Sequence, residues 1–355
     1  MTTSLQSNTI LGISPALPSA SLSNEELEAR FDPKELASIC KMAGIHSRRV
    51  LGEGQQLSDL ALTAAERLLT QKNIDRETID LLIYITQTPD YRIPATATVL
   101  HGKLGLSQRC ASFDINQACS AFPYAMSVAH GMIASGTAHY ALVINADALT
   151  TVIHPQDRSL IPLHGDGACA TLVGPCASGF GFEHFSLGTD GTGAKYLLAP
   201  SANGRNCDGA VETQYPGYLT MNGPAVFHFS ISKVPAAVKA ALAAANLTMD
   251  NIDLLIFHQA NKTMLDLLYK SLRVPPAKQY FNIAEIGNLS GPATPVALAG
   301  AWRDGCIKPG SRTLLCSFGA GLTWSTAIIR WPEDADPSIP LDFVVAKEDL
   351  VSAAI

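Results

Sequence analysis

The stretch TIDLLIYITQTPD, residues 78–90, carries the pentapeptide Ile79-Asp80-Leu81-Leu82-Ile83, and the identical five residues return as Ile252-Asp253-Leu254-Leu255-Ile256 within NIDLLIFHQAN, residues 251–261. Each copy follows a segment rich in alanine and leucine, LALTAAERLLTQKNI (60–74) and VKAALAAANLTMDNI (238–252). A helical pattern feeding a short apolar run predicts a helix leading into a buried parallel strand. Two further echoes keep the same order. FDINQACS (113–120) is matched by FNIAEIGNLS (281–290), and GTAHYALVINAD (136–147) by GSRTLLCSFGAG (310–321), the last pair being apolar strands after Gly-containing turns. One repeated pentapeptide is compatible with chance; three ordered recurrences predict duplication of an α/β half. The halves meet near Cys176 to Gly181, giving units 1–177 and 178–331, with 332–355 as a C-terminal tail.

Composition narrows the class. The chain has 355 residues, 47 % hydrophobic and 16 % charged, enough to bury a large core. Eight cysteines occur without a CxxC pair, and no charged-plus-apolar leader opens the sequence, so reduced thiols and a cytoplasmic location are expected. A net charge of −6 with no basic run longer than Arg48-Arg49 argues against a nucleic-acid or anionic-membrane surface. No apolar stretch reaches the roughly 18 residues of a membrane span.

The duplication brings three side chains together. Cys119 stands just past a predicted strand where a helix starts, Asn288 holds the corresponding place in the second half, and His258 ends the other duplicated strand. Ligands of open α/β sheets sit at the carboxyl ends of strands, so these residues should face a common space. A cysteine at a helix N-terminus meets free N–H groups and the positive end of the dipole, which favour thiolate and nucleophilic attack. His258 and Asn288 together offer two donors to a carbonyl oxygen as it becomes an enolate. Neither is a strong base, which suits a carbanion made by decarboxylation. The loop SFGAGLTW, from Ser317, supplies N–H groups around Gly319 to Gly321, and that of Ala320 with that of Cys119 would form an oxyanion hole.

The segments ACSAFPYA (118–125), DRSLIPLHGDGACA (157–170), HQAN (258–261), GNLSG (287–291) and FGAGLTWSTAIIR (318–330), in this order and spacing, resemble the β-ketoacyl-ACP synthase III family of the thiolase superfamily. The likeness runs from about Ile10 to Trp331. It implies a five-layered αβαβα thiolase-like fold, a homodimer, a catalytic Cys119-His258-Asn288 triad, and decarboxylative Claisen condensation of a primer thioester with a malonyl-type extender. No permanently bound cofactor or metal is implied; substrates would ride on coenzyme A or an acyl carrier protein. Asn261 and Phe318, within these motifs, are expected at the substrate, and Ile93 of TPDYRIPATA would reach across the dimer to line the acyl pocket.

Departures from the family pattern are equally specific. Members that start fatty acids place a Trp and an Arg where this chain reads KELASICKMAGIHSRRV, with Lys41-Met42 near the Arg position, leaving Arg158 and Arg48 or Arg49 as candidates for the carrier. His164 stands where the family commonly has an aromatic residue, either as a buried polar group bonded to a carbonyl or as a primer contact. Carrier proteins are acidic, so Lys262, Lys270 and Arg273, on the helix after His258, form the expected docking face. GTDGTGA (188–194) reads as a turn rather than a phosphate loop. The tail should pack or fray. Two other functions stay open: an acyltransferase using another acceptor without decarboxylation, and a silent acyl-binding partner subunit.

Overall fold

The computed structural model describes residues 6–200 and 213–353. Strand β1 (Asn8–Pro18) is followed by helices α1 (Pro33–Ala43) and α2 (Leu57–Lys72), then β2 (Ile79–Ile85), α3 (Thr96–Lys103), β3 (Ala111–Ile115), α4 (Ala121–Ala134), β4 (Tyr140–Ala148) and β5 (Asp166–Pro175). The chain continues through β6 (Gly181–Thr189), α5 (Gly223–Ala244), β7 (Leu254–Phe257), α6 (Lys262–Ser271), α7 (Ala293–Arg303), β8 (Arg312–Gly319), β9 (Thr323–Arg330) and the short β10 (Val344–Val345). These strands form a six-stranded sheet, β10-β1-β5-β4-β2-β3, and a four-stranded sheet, β6-β9-β8-β7. Beyond β10, the two run in the same order: β1, β5, β4 and β2 stand where β6, β9, β8 and β7 stand.

The pentapeptide explains the layering. Side chains alternate across a strand, so Leu81 and Ile83 enter a core between the sheets while Leu82 and Tyr84 face a second core on the outside. In the other copy Leu254 and Ile256 point inward, and Leu255 and Phe257 outward into a third core. Helices α4 and α7 fill the middle, α2 and α3 cover one outer face, and α5 and α6 cover the other. This is an αβαβα sandwich. The polar member of the repeat does one job twice: Asp80 accepts the N–H of His139, and Asp253 that of Arg312, both at 2.8 Å, where the neighbouring parallel strand begins.

Two segments depart from regular expectation. The echo at Phe281 does not form a strand like β3; isolated bridges, Leu255 with Gln279 just before it and His164 with Asn288 within it, are what remain. Side chains there satisfy the backbone instead: Tyr280 N–H donates to the Tyr269 hydroxyl oxygen at 3.3 Å, and Asn282 N–H donates to Gln259 at 3.3 Å. The tail returns to the first half, where β10 pairs parallel with β1 and Leu17 N–H donates to the Phe343 carbonyl at 2.8 Å. Val345 and Ala353 are buried. The glycine-rich GTDGTGA becomes a 3₁₀ turn (Gly191–Tyr196) capped by Asp190. Replacing Val345 by Ala removes two buried methyl groups and should lower unfolding free energy by about 2 kcal/mol with an unchanged m-value, measured by urea denaturation.

Candidate active site

Strand β3 delivers the chain to a sharp elbow. Ala118 adopts a left-handed backbone (φ 50°), a costly conformation for a residue with a Cβ, and a 3₁₀ turn from Ala118 to Ser120 leads into α4. Bonds to β9 and its flank hold the elbow: Ser120 Oγ lies 2.7 Å from Thr323 Oγ1, and Ser325 Oγ donates to the Ser120 carbonyl at 2.7 Å. The end of β8 passes so closely that a Cβ at Gly319 would stand 2.7 Å from the Cys119 Cβ and 3.0 Å from its sulfur. Only glycine fits there.

His258 leaves β7 with its N–H donating to the Cys316 carbonyl at 2.9 Å, and its ring meets Phe318 edge-on at 5.6 Å between centroids. Burial, with His164 nearby, pushes its pKa down to about 3, so the imidazole is neutral at physiological pH. Its Nδ1 has no hydrogen-bond partner among the described residues. Asn288 is fixed through its backbone, donating to the Leu163 carbonyl at 2.8 Å and accepting from Gly165 at 3.0 Å. Its Oδ1 accepts the Ser290 N–H at 2.9 Å, which assigns the amide orientation and leaves the NH₂ group as a donor.

Cys119, His258 and Asn288 border one cavity of about 820 Å³, together with His164, Asn261, Phe318 and Ala320. The N–H groups of Cys119 and Ala320 face the sulfur. Asn261 Oδ1 caps α6 by accepting Met264 N–H at 2.8 Å, and His164 Nδ1 lies 3.0 Å from the Leu160 carbonyl. An apolar wall of Leu149, Val152, Leu163, Leu197, Leu219 and Met221 completes the space. Sequence reasoning missed this wall because its residues carry no motif. Gln87 also borders the cavity and was missed, although it lies one strand-end beyond the repeated pentapeptide.

One thiol, two uncharged polar side chains and two backbone N–H groups thus stand beside an apolar chamber, an arrangement able to carry acyl-transfer chemistry. Profiles described as 3-oxoacyl-[acyl-carrier-protein] synthase III and its C-terminal part match residues 113–191 and 242–331. A β-ketoacyl-[acyl-carrier-protein] synthase III of Caldanaerobacter subterraneus subsp. tengcongensis is 38 % identical over 324 residues, covering 91 % of this chain and 97 % of the relative. This chain belongs to the β-ketoacyl-ACP synthase III family. Among solved structures it is similar to a 3-oxoacyl-(acyl-carrier protein) synthase from Burkholderia xenovorans LB400, with TM-score 0.90, 31 % identity and coverage of 97 % and 98 % of the two chains. It is also similar to the priming β-ketosynthase of the R1128 polyketide biosynthetic pathway, with TM-score 0.84, 30 % identity and coverage of 94 % and 98 %.

In this member of the β-ketoacyl-ACP synthase III family, not all of the expected residues stand at the cavity. Burial pushes the Cys119 thiol up to about 11, against the lowering effect of Ser290 and of the N–H groups of Cys119 and Ala320. Arg158 is not part of the cavity wall, because its guanidinium is paired with Glu35 on the surface. Arg48 is buried and bound to Leu22 O, Asn24 Oδ1 and Pro162 O, and Arg49 donates to Ser19 O, so both serve the fold. Ile93, expected to reach a second copy's pocket, is 89 % exposed and lies away from the cavity of its own chain. Lys262, Lys270 and Arg273 are exposed on and after α6, with Lys262 also held by Asp266 at 2.7 Å. Among the described residues no helix is long and apolar enough to cross a membrane, and no His, Cys, Asp and Glu cluster could hold a metal.

These shifts give a signed expectation. A thiol raised above its usual value gains thiolate with pH until that higher value is passed. Alkylation of Cys119 by iodoacetamide should therefore climb about tenfold per unit from pH 7 to 10 without levelling near 8.5. With His258 neutral throughout, no step should appear between pH 5.5 and 7.5.

Proposed function

We propose that this chain takes an acyl group from a thioester onto Cys119 and condenses it with a malonyl-type or 3-oxoacyl carrier thioester, releasing a 3-oxoacyl product that begins a fatty-acid or polyketide chain. The carrying observation is Asn288: its oxygen accepts Ser290 N–H, so its NH₂ group is free to donate at the cavity that His258 and Cys119 also border. In the first half-reaction the sulfur attacks the primer carbonyl. The N–H groups of Cys119 and Ala320 receive the oxyanion, the carbon–sulfur bond to the carrier breaks, and the carrier leaves as a thiol with the proton lost from Cys119. In the second, for a malonyl-type extender, carbon dioxide leaves and the electron pair moves into an enolate held by His258 and Asn288. That carbon attacks the acyl-enzyme, the new carbon–carbon bond forms, and Cys119 is released.

The apolar wall suits an acyl chain, and Asn261 and Phe318 would flank the incoming pantetheine thioester. His164 would adjoin the primer. In a homodimer the exposed Ile93 would reach a second copy's cavity. With Met42 at the rim in place of a cationic clamp, and Thr263 Oγ1 tying α1 to α6 through the Met42 carbonyl at 2.8 Å, the entrance favours a protein-borne primer over coenzyme A.

Intact-mass measurement after incubation with acyl-CoA and acyl-carrier substrates should find one added acyl group at Cys119, and none in Cys119→Ala. His258→Ala and Asn288→Ala should still accept the acyl group but lose about 10²–10³-fold in carbon dioxide release from a malonyl thioester. Undiminished release in both would favour acyl transfer to another acceptor, and absence of acylation in the wild type would favour a silent partner.

The docking face gives a separate expectation. Reversing Lys262, Lys270 and Arg273 to Glu together should slow acylation from an acidic carrier protein several-fold at low salt and leave acylation from coenzyme A unchanged, measured with the same acyl chain.

A further inference from the structure

The cavity does not explain how a thiol so deeply buried becomes a nucleophile, and the groups behind the sulfur do. Ser290 Oγ lies 3.3 Å from Cys119 Sγ. The hydroxyl oxygen accepts from Gln87 Nε2 at 2.5 Å, and the same amide donates to Asp147 Oδ2 at 2.9 Å. Asp147 is buried and also receives Gln87 N–H at 2.7 Å and Gly291 N–H at 2.9 Å. Each of these three contacts is a donor, so the group is met as a carboxylate. Ser290 itself holds a left-handed backbone (φ 59°), unusual for a residue with a Cβ, and its N–H is fixed on Asn288.

Proton accounting follows. Gln87 spends both side-chain hydrogens, one on Asp147 and one on Ser290. The Ser290 proton is therefore not needed by Gln87, and the acceptors near it are Asp147 and the sulfur. We propose that Ser290 is a further catalytic residue, whose hydroxyl turns from Asp147 to donate a hydrogen bond to the Cys119 thiolate, while Gln87 and Asp147 act as positioning residues. The hydroxyl rotates without changing protonation. The thiol proton leaves with the carrier thiol, so the half-reaction balances as before. The titratable groups around the sulfur are Asp147, whose charge opposes a thiolate, and the neutral His164 and His258 that border the cavity. The interposed Gln87 amide presents a donor toward the reaction centre in place of that charge. This inference rests on Cys119 being the acylated residue.

The test is the pH dependence of Cys119 alkylation by iodoacetamide, read by mass spectrometry on the Cys119 peptide so that the exposed Cys306 does not contribute. Ser290→Ala should move the curve up by about one pH unit, a rate roughly tenfold lower at pH 8. Ser290→Gly relieves the left-handed backbone and removes the same hydroxyl, so it should show the same shift even if the alanine variant folds poorly. Gln87→Met should shift the curve in the same direction by less. Curves for the folded Ala or Gly variant that superimpose on the wild type overturn the proposal. If the wild type takes no acyl group on Cys119, the functional reading falls instead, and the alkylation curves still report the hydrogen bond.

Discussion

Two sheets in this protein share a single layer of helices, and that sharing constrains everything else. Helix α7 has almost no solvent side to give to polar residues, and α4 keeps only a narrow one at Val128 and Gly131. Residues Ala293 to Ala301 of α7 are all buried, and Gly300 lies where a Cβ would stand 2.3 Å from the Tyr280 hydroxyl. Small apolar side chains follow from that confinement. The same confinement builds the site. The loops entering the two central helices are the Cys119 elbow and the Asn288–Ser290 turn, so packing the helices side by side brings Cys119 and Asn288 to one cavity.

Much of this could be read from residues 79–83 and their copy, because period-two burial on two apolar faces fixes which leucine points where. Asp80 and Asp253 were part of the same signal, yet their identical tasks became visible only in three dimensions, since each bonds to a strand distant in sequence. The echo at Phe281 was legible as position but not as strand, because Tyr269 and Gln259 satisfy its backbone. Cys119, His258 and Asn288 could be found because they stand at strand ends within distinctive motifs. The fate of Arg158 and the apolar wall could not, as each depends on partners from separate segments. Burial of the thiol is likewise a sum over the whole fold, whereas the helix start beside it is local.

One cause acts on both titrating members of the site in opposite chemical senses. Desolvation raises the Cys119 thiol and lowers the His258 imidazole, so both rest uncharged. A cavity kept free of charge in this way gives its few aligned donors greater electrostatic effect than they would have in water. In the proposed reaction, the demand for stabilisation would then fall at the moments when charge appears, on the sulfur and then on the extender oxygen.

The pairing of β10 with β1 also sets an order of events during synthesis. Until residues 344 and 345 leave the ribosome, β1 is an open sheet edge whose free N–H and C=O groups can recruit strands from other chains. A contact between residues 17 and 344 spans nearly the whole polypeptide, so this closure is late and its loop entropy large. The nascent first half thus leaves uncovered the end of β1, at Leu17 and Pro18, that the finished molecule pairs with its own tail.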